Sequence, residues 1–305
     1  MQIKAAVVKT IISVLILTAL IIIVGLLKKP TDVGNDGQLR VAATIRPLAD
    51  MISQIGGQYV GVQTILPAGA SPHTFEPAPE QIRSLQGTKL IFSIGQGLDN
   101  WIGPIAENVP GAINLKADKG IKFRQLPTDQ IDQDQPNQTI DPHYWLDVAN
   151  AKTMSRNIAD ELSSIDPAHK AEFDKNLSAY LIQLDALDKE IKNELSKTSQ
   201  KEMITHHNAW GYFADAYGLK IAGTFEISPG KEPTPKQIAD LQALVKQYNI
   251  KTIFAEPQLS EQSLIPFTQD LKLKTAILDP EGGYLNMGYI DMMRYNTGVL
   301  ANSLK

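Results

Sequence analysis

Four short segments of the chain each carry one side chain that is able to bind a divalent metal ion. They are His73 in GASPHTFEP, His143 in DPHYWLD, His207 in THHNAWGYF and Asp279 in ILDPEGG. Each residue lies in a loop or at the end of a predicted strand, and two come from each half of the chain. Neutral imidazole nitrogens with one carboxylate oxygen form a ligand set that suits Zn2+. A single loop histidine is more often solvated than metal-bound, so the hypothesis of one shared site depends on all four positions together.

The segment around His143 also contains two carboxylates and an indole. Asp141 and Asp147 flank the histidine. They either cap the loop or orient the imidazole, as a carboxylate often does for a metal-bound histidine. We expect Trp145 to pack beside the site rather than to take part in its chemistry.

Two residues of the second half are further candidates for the layer around the ligands. His206 precedes His207 and points to the opposite side if the strand persists, because side chains alternate along a strand. Glu256 ends the predicted strand IKTIFAE and is either a cleft residue or a cap of the strand end. His169, in the first turn of a predicted helix, is interpreted as solvated or capping.

Short apolar runs alternate with helical patterns in both halves, which is typical of parallel sheets flanked by helices. The predicted strands are 39–45, 60–66, 89–95, 112–116, 202–206, 219–225, 250–256 and 274–279. Ligands of open parallel sheets bind beyond the carboxyl ends of the strands. Three of the four candidate ligands fit that position, namely His73, His207 and Asp279.

A long helix is predicted between the two halves. Asp166 followed by Pro167 is typical of a helix start. Apolar residues then recur every three or four positions on one face: Phe173, Leu177, Tyr180, Leu184, Leu187, Ile191 and Leu195. About 30 residues at 1.5 Å each make a rod of about 45 Å. We therefore predict an α/β fold of two lobes, each a parallel sheet flanked by helices, joined by one rigid helix, with the metal site in the cleft between them.

The composition excludes several classes of protein. The 305 residues are 43% hydrophobic and 20% charged, as in globular proteins, and the net charge of −4 provides no basic surface for nucleic acid. The chain has no cysteine, which excludes disulfides, thiolate metal sites and thiol nucleophiles. The polar segment from Ala117 to Ile140 predicts a surface loop.

The first residues predict a membrane anchor. The run from Thr10 to Leu27 has no charged residue, and about 17 to 25 apolar residues suffice to cross a bilayer. A cleaved signal peptide usually has a shorter apolar region and a small-residue cleavage site, so we expect an uncleaved helix. The alternative is a secreted or periplasmic protein released by cleavage. Residues 28–38 predict a flexible tether.

Six segments, in order, resemble a known family. They are GASPHTFEP, DPHYWLD, HHNAWGYFADAYGL, EISPGKEPTPKQI, IFAEPQLS and ILDPEGG. From about Leu39 to its end, the chain is similar to the zinc and manganese solute-binding proteins of ABC importers, of the ZnuA and TroA type. The resemblance implies a metal ion buried between two lobes and delivered to a membrane permease with a cytoplasmic ATPase. By position, it implies the same four ligands as above.

The resemblance also carries expectations about the ion and the anchor. Family members with glutamate at the third ligand position tend to carry manganese, so His207 favours Zn2+ over Mn2+ as the cargo. The family's common anchor is a lipidated cysteine or a cleaved signal, and a transmembrane helix replaces it here. We expect an extracytoplasmic monomer, divided into an anchor and linker (1–38), a first lobe (39–165), a connecting helix (166–198) and a second lobe (199–305).

Three alternatives stay open beside the zinc carrier. They are a manganese-binding member of the family, a metal-dependent surface adhesin and a zinc hydrolase. A hydrolase keeps a coordination position open for water, whereas Asp279 as a fourth ligand would close it. The chain also has no HExxH motif. We therefore predict a binding protein and not an enzyme.

Overall fold

Each half of the chain forms a four-stranded parallel sheet in the computed structural model, which describes residues 37–131 and 136–305. The first sheet has the spatial order β2-β1-β3-β4, with β1 (Leu39–Ala43), β2 (Val60–Thr64), β3 (Leu90–Ser93) and β4 (Ile113–Lys116). The second has the order β6-β5-β7-β8, with β5 (Glu202–His207), β6 (Lys220–Glu226), β7 (Thr252–Ala255) and β8 (Lys274–Ile277). The predicted strands and the two-lobed α/β architecture are confirmed.

Helices connect the strands of both sheets. Their bounds are α1 (Arg46–Gly56), α2 (Pro79–Ser84), α3 (Ile102–Ala106), α4 (Val148–Ile165), α5 (Lys170–Ser196), α6 (Gly211–Tyr217), α7 (Pro235–Gln247), α8 (Leu264–Leu271) and α9 (Tyr289–Ser303). α2 and α7 begin at proline, whose missing N–H is no loss in the first turn. The Thr234 side chain accepts a hydrogen bond from the backbone N–H of Gln237, and this cap determines where α7 starts.

α5 is the predicted connecting helix, and it has 27 residues. Its buried residues are Phe173, Tyr180, Leu184, Leu187, Ile191 and Leu195, as the apolar spacing predicts. The start differs from the prediction, because residues 167–169 form a turn of 3-10 helix. The Asp166 carboxylate caps no backbone amide there and lies 2.6 Å from His169 Nδ1 instead.

The largest apolar cluster is shared by both lobes. It joins Leu48 of α1 and Met154 of α4 to Leu187 of α5, Trp210 before α6 and Met292 of α9. Fully burying a side chain of this size contributes about 1.5–3 kcal/mol. Each lobe also has a smaller apolar cluster of its own, which packs against the other face of its sheet. The connecting helix is therefore packed into the core that holds the lobes together.

The predicted membrane anchor, Thr10 to Leu27, lies outside the described residues. Within residues 37–131 and 136–305, no helix is both long enough and apolar enough to cross a membrane. The predicted tether at 28–38 falls almost wholly outside the described part as well.

Candidate metal-binding site

Three histidines from distant parts of the sequence meet in the structure. His73 lies in the loop after β2, His143 precedes a turn of 3-10 helix at Tyr144–Leu146, and His207 is the last residue of β5. The Nε2 atom of His143 is 3.1 Å from that of His73 and 3.3 Å from that of His207. Nitrogens bound tetrahedrally at about 2.0–2.1 Å from Zn2+ are about 3.3–3.4 Å apart. Both distances from His143 are therefore close to the spacing that one such ion requires.

Carboxylates lie behind two of the three rings. Asp141 Oδ1 accepts hydrogen bonds from the backbone N–H of His143, at 3.0 Å, and from its ring Nδ1, at 2.9 Å. A proton on Nδ1 leaves the Nε2 lone pair directed at the other histidines. Glu256 Oε2 is 2.8 Å from His207 Nδ1, although the angle is not that of a hydrogen bond. Asp141 thus orients an imidazole, one of the two roles left open for it.

Burial favours the neutral form of two of the converging rings, His73 and His143. Desolvation is the main cause that lowers the pKa of His73 well below its usual value, and His143 and His207 lower it further. Desolvation also lowers the pKa of His143 well below its usual value, followed by the effect of His207 and opposed by Glu256. Because a metal ion binds neutral imidazole, these histidines are already in the ligating form near neutral pH.

Asp279, the fourth predicted ligand, does not join this group. The atoms that converge within 4.8 Å of one another belong to His73, His143 and His207. Asp279 Oδ1 accepts from the backbone N–H groups of Glu281 and Gly282, at 3.0 and 2.8 Å, and Oδ2 accepts from that of Tyr284, at 2.8 Å. In the structure, its carboxylate therefore holds the loop after β8 in shape.

Glu281 was missed by sequence reasoning, although it belongs to the ILDPEGG segment. Its side chain is 7% exposed, and its Oε2 is buried without a hydrogen-bond partner among the described residues. Burial, followed by the nearby charges of Asp279 and Glu256, raises its pKa well above the usual value. In the sequence, the available signal was a second carboxylate two residues after Asp279. Burial of a carboxylate without a partner costs free energy, so such a residue is a candidate for a functional role.

The other predicted residues lie around the three rings. Trp145 is fully buried, its ring centroid is 5.3 Å from that of His143, and its Nε1 donates to the Pro280 carbonyl, so it packs between a histidine and the loop after β8. His206 faces away from the group and lies 3.3 Å from Glu226 Oε1. Asp147 is a cap, accepting from the backbone N–H of Ala149 at the start of α4.

A cavity of about 120 Å3 opens beside the histidines. Part of its wall comes from the segment 117–140, which was predicted as a surface loop. Within its described residues, Gln125 and Ile140 form an antiparallel bridge, and Gln130 and Gln138 line the cavity. Asn208 also lines the cavity, is 5% exposed, and has no hydrogen-bond partner for its amide among the described residues. Neutral polar groups therefore line part of the approach to the histidines.

The family model for the periplasmic component A of the zinc-uptake complex (ZnuA) matches residues 41–303. The chain belongs to the ZnuA family. It is 30% identical over 281 residues to the high-affinity zinc uptake system protein ZnuA of Bacillus subtilis, covering 88% of each chain. It is 31% identical over 305 residues to the manganese ABC transporter substrate-binding lipoprotein PsaA of Streptococcus pneumoniae, covering 95% of this chain and 97% of that protein.

Solved structures agree with this assignment. The laminin binding protein Lmb of Streptococcus agalactiae, described as bifunctional with adhesin and metal transporting activity, matches with a TM-score of 0.76 and 28% identity, covering 88% of this chain and all of the other. The ZnuA-family chain is thus a metal-binding substrate-binding protein of an ABC importer, and it is not an enzyme. Such proteins work with a permease and its ATPase. The relatives include both zinc and manganese carriers.

Proposed function

We propose that this protein captures Zn2+ outside the cytoplasm with His73, His143 and His207 and delivers it to its permease. The observation that carries the proposal is the convergence of the three Nε2 atoms, at 3.1 and 3.3 Å from the central one. Three neutral imidazoles suit zinc, whereas manganese favours oxygen ligands and binds nitrogen ligands more weakly. A manganese carrier would gain from a carboxylate at the position of His207.

The fourth ligand of the proposed site comes from the loop after β8. Asp279 is the residue that sequence reasoning assigns, and its carboxylate already accepts three backbone hydrogen bonds, which leaves one of its about four lone-pair sites for an ion. Glu281 is the second candidate, because its Oε2 is buried without a partner among the described residues and a metal ion would supply one. Either carboxylate would close the coordination shell, as expected for a carrier rather than a catalyst.

Metal content and competition test this proposal. The purified wild-type chain should hold one Zn2+, measured by elemental analysis, and an excess of Mn2+ should displace it poorly in calorimetric competition. A His207→Ala variant should bind Zn2+ more weakly, while His169→Ala, which alters a histidine at the far start of α5, should bind as the wild type does. A preference for Mn2+, or unchanged binding in His207→Ala, would contradict the zinc assignment.

We also propose that residues 1–38 anchor the protein in the membrane by an uncleaved helix. The support is the uncharged run from Thr10 to Leu27. Membrane fractionation of cells, with mass spectrometry of the mature amino terminus, tests this. An amino terminus beyond Leu27 would show that the segment is cleaved.

A surface adhesin is the second candidate function, and the similarity to Lmb supports it. Binding of the purified chain to immobilised laminin, with Zn2+ and after chelation, would test it. Binding at the level of an albumin control would remove this alternative.

A further inference from the structure

Arg124 connects the two lobes next to the histidines. It lies on the segment that follows β4 of the first lobe. Its backbone N–H donates to the Tyr212 hydroxyl at 2.7 Å, and its Nε lies 2.9 Å from Asp215 Oδ2. Both partners belong to α6 of the second lobe. A single residue of the first lobe is therefore held at its backbone and at its side chain by one helix of the second.

The other end of the same guanidinium reaches the carboxylate behind His143. Arg124 Nη1 is 3.3 Å from Asp141 Oδ2, and Asp141 is fully buried. The second oxygen of Asp141 accepts from both the backbone N–H and the ring Nδ1 of His143. A continuous series of polar contacts thus runs from Asp215 through Arg124 and Asp141 to an imidazole of the candidate site.

Gly211, which has no side chain, leaves the space that the side chains of Arg124 and Asp141 occupy. A Cβ added at Gly211 would lie 2.5 Å from Cζ and Nη1 of Arg124 and 2.7 Å from Asp141 Oδ2. Contacts below 3.0 Å of this kind force a neighbour to move. The guanidinium and the carboxylate therefore meet directly against the start of α6, where an added side chain would force at least one of them to move.

We propose that Arg124 is a positioning residue that couples contact between the lobes to the orientation of the His143 imidazole. This inference depends on the proposed function, in which His143 binds the ion. When α6 holds Arg124, the guanidinium fixes Asp141, and Asp141 fixes the ring with its Nε2 towards the other histidines. When α6 moves away, Asp141 loses its charged partner and the ring loses its support. Movement of α6 relative to the first lobe and reorientation of the His143 ring are therefore coupled.

The contacts require arginine in particular. Two nitrogens of one planar guanidinium serve two carboxylates at the same time, a geometry that the single ammonium of lysine does not reproduce. The two carboxylates also differ in environment, since the Asp141 side chain is 0% exposed and that of Asp215 is 68% exposed. A buried carboxylate depends far more on its partner than an exposed one does. Loss of the contact to Asp141 should therefore matter most.

The test compares Zn2+ release from the full-length wild type, Arg124→Lys, Gly211→Ala and Asp215→Asn. Arg294→Lys is the matched control, since Arg294 also pairs with a carboxylate, Glu190, at 3.0 Å, and both side chains of that pair are exposed. Release into a chromophoric chelator gives the dissociation rate. The chain has five histidines, so 15N-labelled imidazole resonances report the ring of His143 directly, and thermal unfolding of the metal-free protein reports the fold.

We expect faster release, by about tenfold for Arg124→Lys and Gly211→Ala, because residues that orient a ligating histidine typically contribute 10–100-fold in metal affinity. Asp215→Asn should release about two- to threefold faster, since it removes only the exposed contact. The Nδ1–H resonance of His143 should shift in the same order. Arg294→Lys should match the wild type in both measurements.

The outcomes separate this inference from the proposed function. Wild-type release rates and an unchanged His143 resonance in Arg124→Lys would overturn the coupling alone. If Arg124→Lys does not fold, an unchanged release rate in Asp215→Asn, whose side chain is exposed, would overturn it equally. If the wild-type chain binds no Zn2+, the proposed function is wrong and the coupling falls with it.

Discussion

The two lobes have the same strand order but hold their histidines differently. His207 is the last residue of β5, where its backbone is paired with Glu226 of β6. His143 lies outside the sheet, yet Asp141 holds its backbone and its ring. His73 lies in a loop, and the contact of its ring nitrogen in the described structure is with His143. The second lobe thus holds His207 in a paired strand. In the first lobe, hydrogen bonds to Asp141 hold His143, whereas His73 is held only weakly.

This difference has a consequence for uptake and release. A carrier must bind its ion tightly and still give it up to the permease. A ligand on a loop can leave at lower cost than one at the end of a paired strand, because the strand would have to break its sheet hydrogen bonds. We therefore expect His73 to leave first and His207 last.

The largest expected effect is the removal of a fixed ligand. His207→Ala and His143→Ala should each weaken Zn2+ binding about a hundredfold, since about 10–16 kcal/mol for a four-ligand zinc site averages about 2.5–4 kcal/mol per ligand. His73→Ala should cost less, because the loop and a water molecule can adjust. Calorimetric competition with a chelator measures the order. Equal losses for all three variants would remove the distinction between fixed and mobile histidines.

Substitutions of Asp279 and Glu281, the two carboxylates of the loop after β8, should affect Zn2+ affinity and the stability of the metal-free protein differently. Asp279→Asn should lower the stability of the metal-free protein by about 1–3 kcal/mol, because a backbone amide that the carboxylate now satisfies loses its acceptor. Burial raises the pKa of Glu281 and so favours its neutral carboxyl, and Glu281→Gln replaces that group by a neutral amide of similar size, so it should leave that stability nearly unchanged. If Glu281 is the fourth ligand, the same change should weaken Zn2+ binding at least tenfold.

Denaturant unfolding and metal competition on the two variants give both quantities. Full Zn2+ affinity in Glu281→Gln, with a large loss in Asp279→Asn beyond its stability change, would instead assign ligation to Asp279, as sequence reasoning does.

The sequence predicted the positions of the candidate ligands better than the hydrogen bonds and ion pairs that hold them. Periodicity determines where strands stop, and on that basis His73, His207 and Asp279 were expected beyond the carboxyl ends of the strands, whereas His143 was assigned only to a loop. The hydrogen bonds of Asp279 were not predictable in the same way, because they depend on how the loop after β8 closes on itself. Arg124 was invisible for a further reason: it lies in a polar segment without periodicity, and its partners Tyr212 and Asp215 are 88 and 91 residues away.

The pH dependence of binding should reflect the buried histidines. Zn2+ competes with protons for the imidazoles, and an unperturbed histidine takes up its proton near pH 6.5. Because burial lowers the pKa of His73 and His143 well below that value, affinity should persist below pH 6.5 and fall only at lower pH. Acidification should also destabilise the metal-free fold, since the unfolded chain takes up protons at these histidines before the folded chain does.

Chelator competition between about pH 5 and 7.5, beside unfolding of the metal-free protein, measures both effects. His169→Gln is the control, because that residue stacks on Tyr59 away from the site. An affinity that already falls with a midpoint at 6.5 would show that the rings are solvated in the metal-free state.

The smallest expected effect is the movement that accompanies release. α5 is packed into the apolar cluster that both lobes share, so a wide opening of the cleft would expose core residues such as Leu187 and Met292. Metal removal should therefore increase hydrogen exchange in the loop around His73, less around His143, and hardly in β5 or α5. Exchange of the metal-bound and metal-free protein, followed by mass spectrometry, measures this order. A general increase in both sheets and in α5 would mean that the lobes separate as whole bodies, and the contrast between a fixed and a mobile ligand would then lose its mechanical basis.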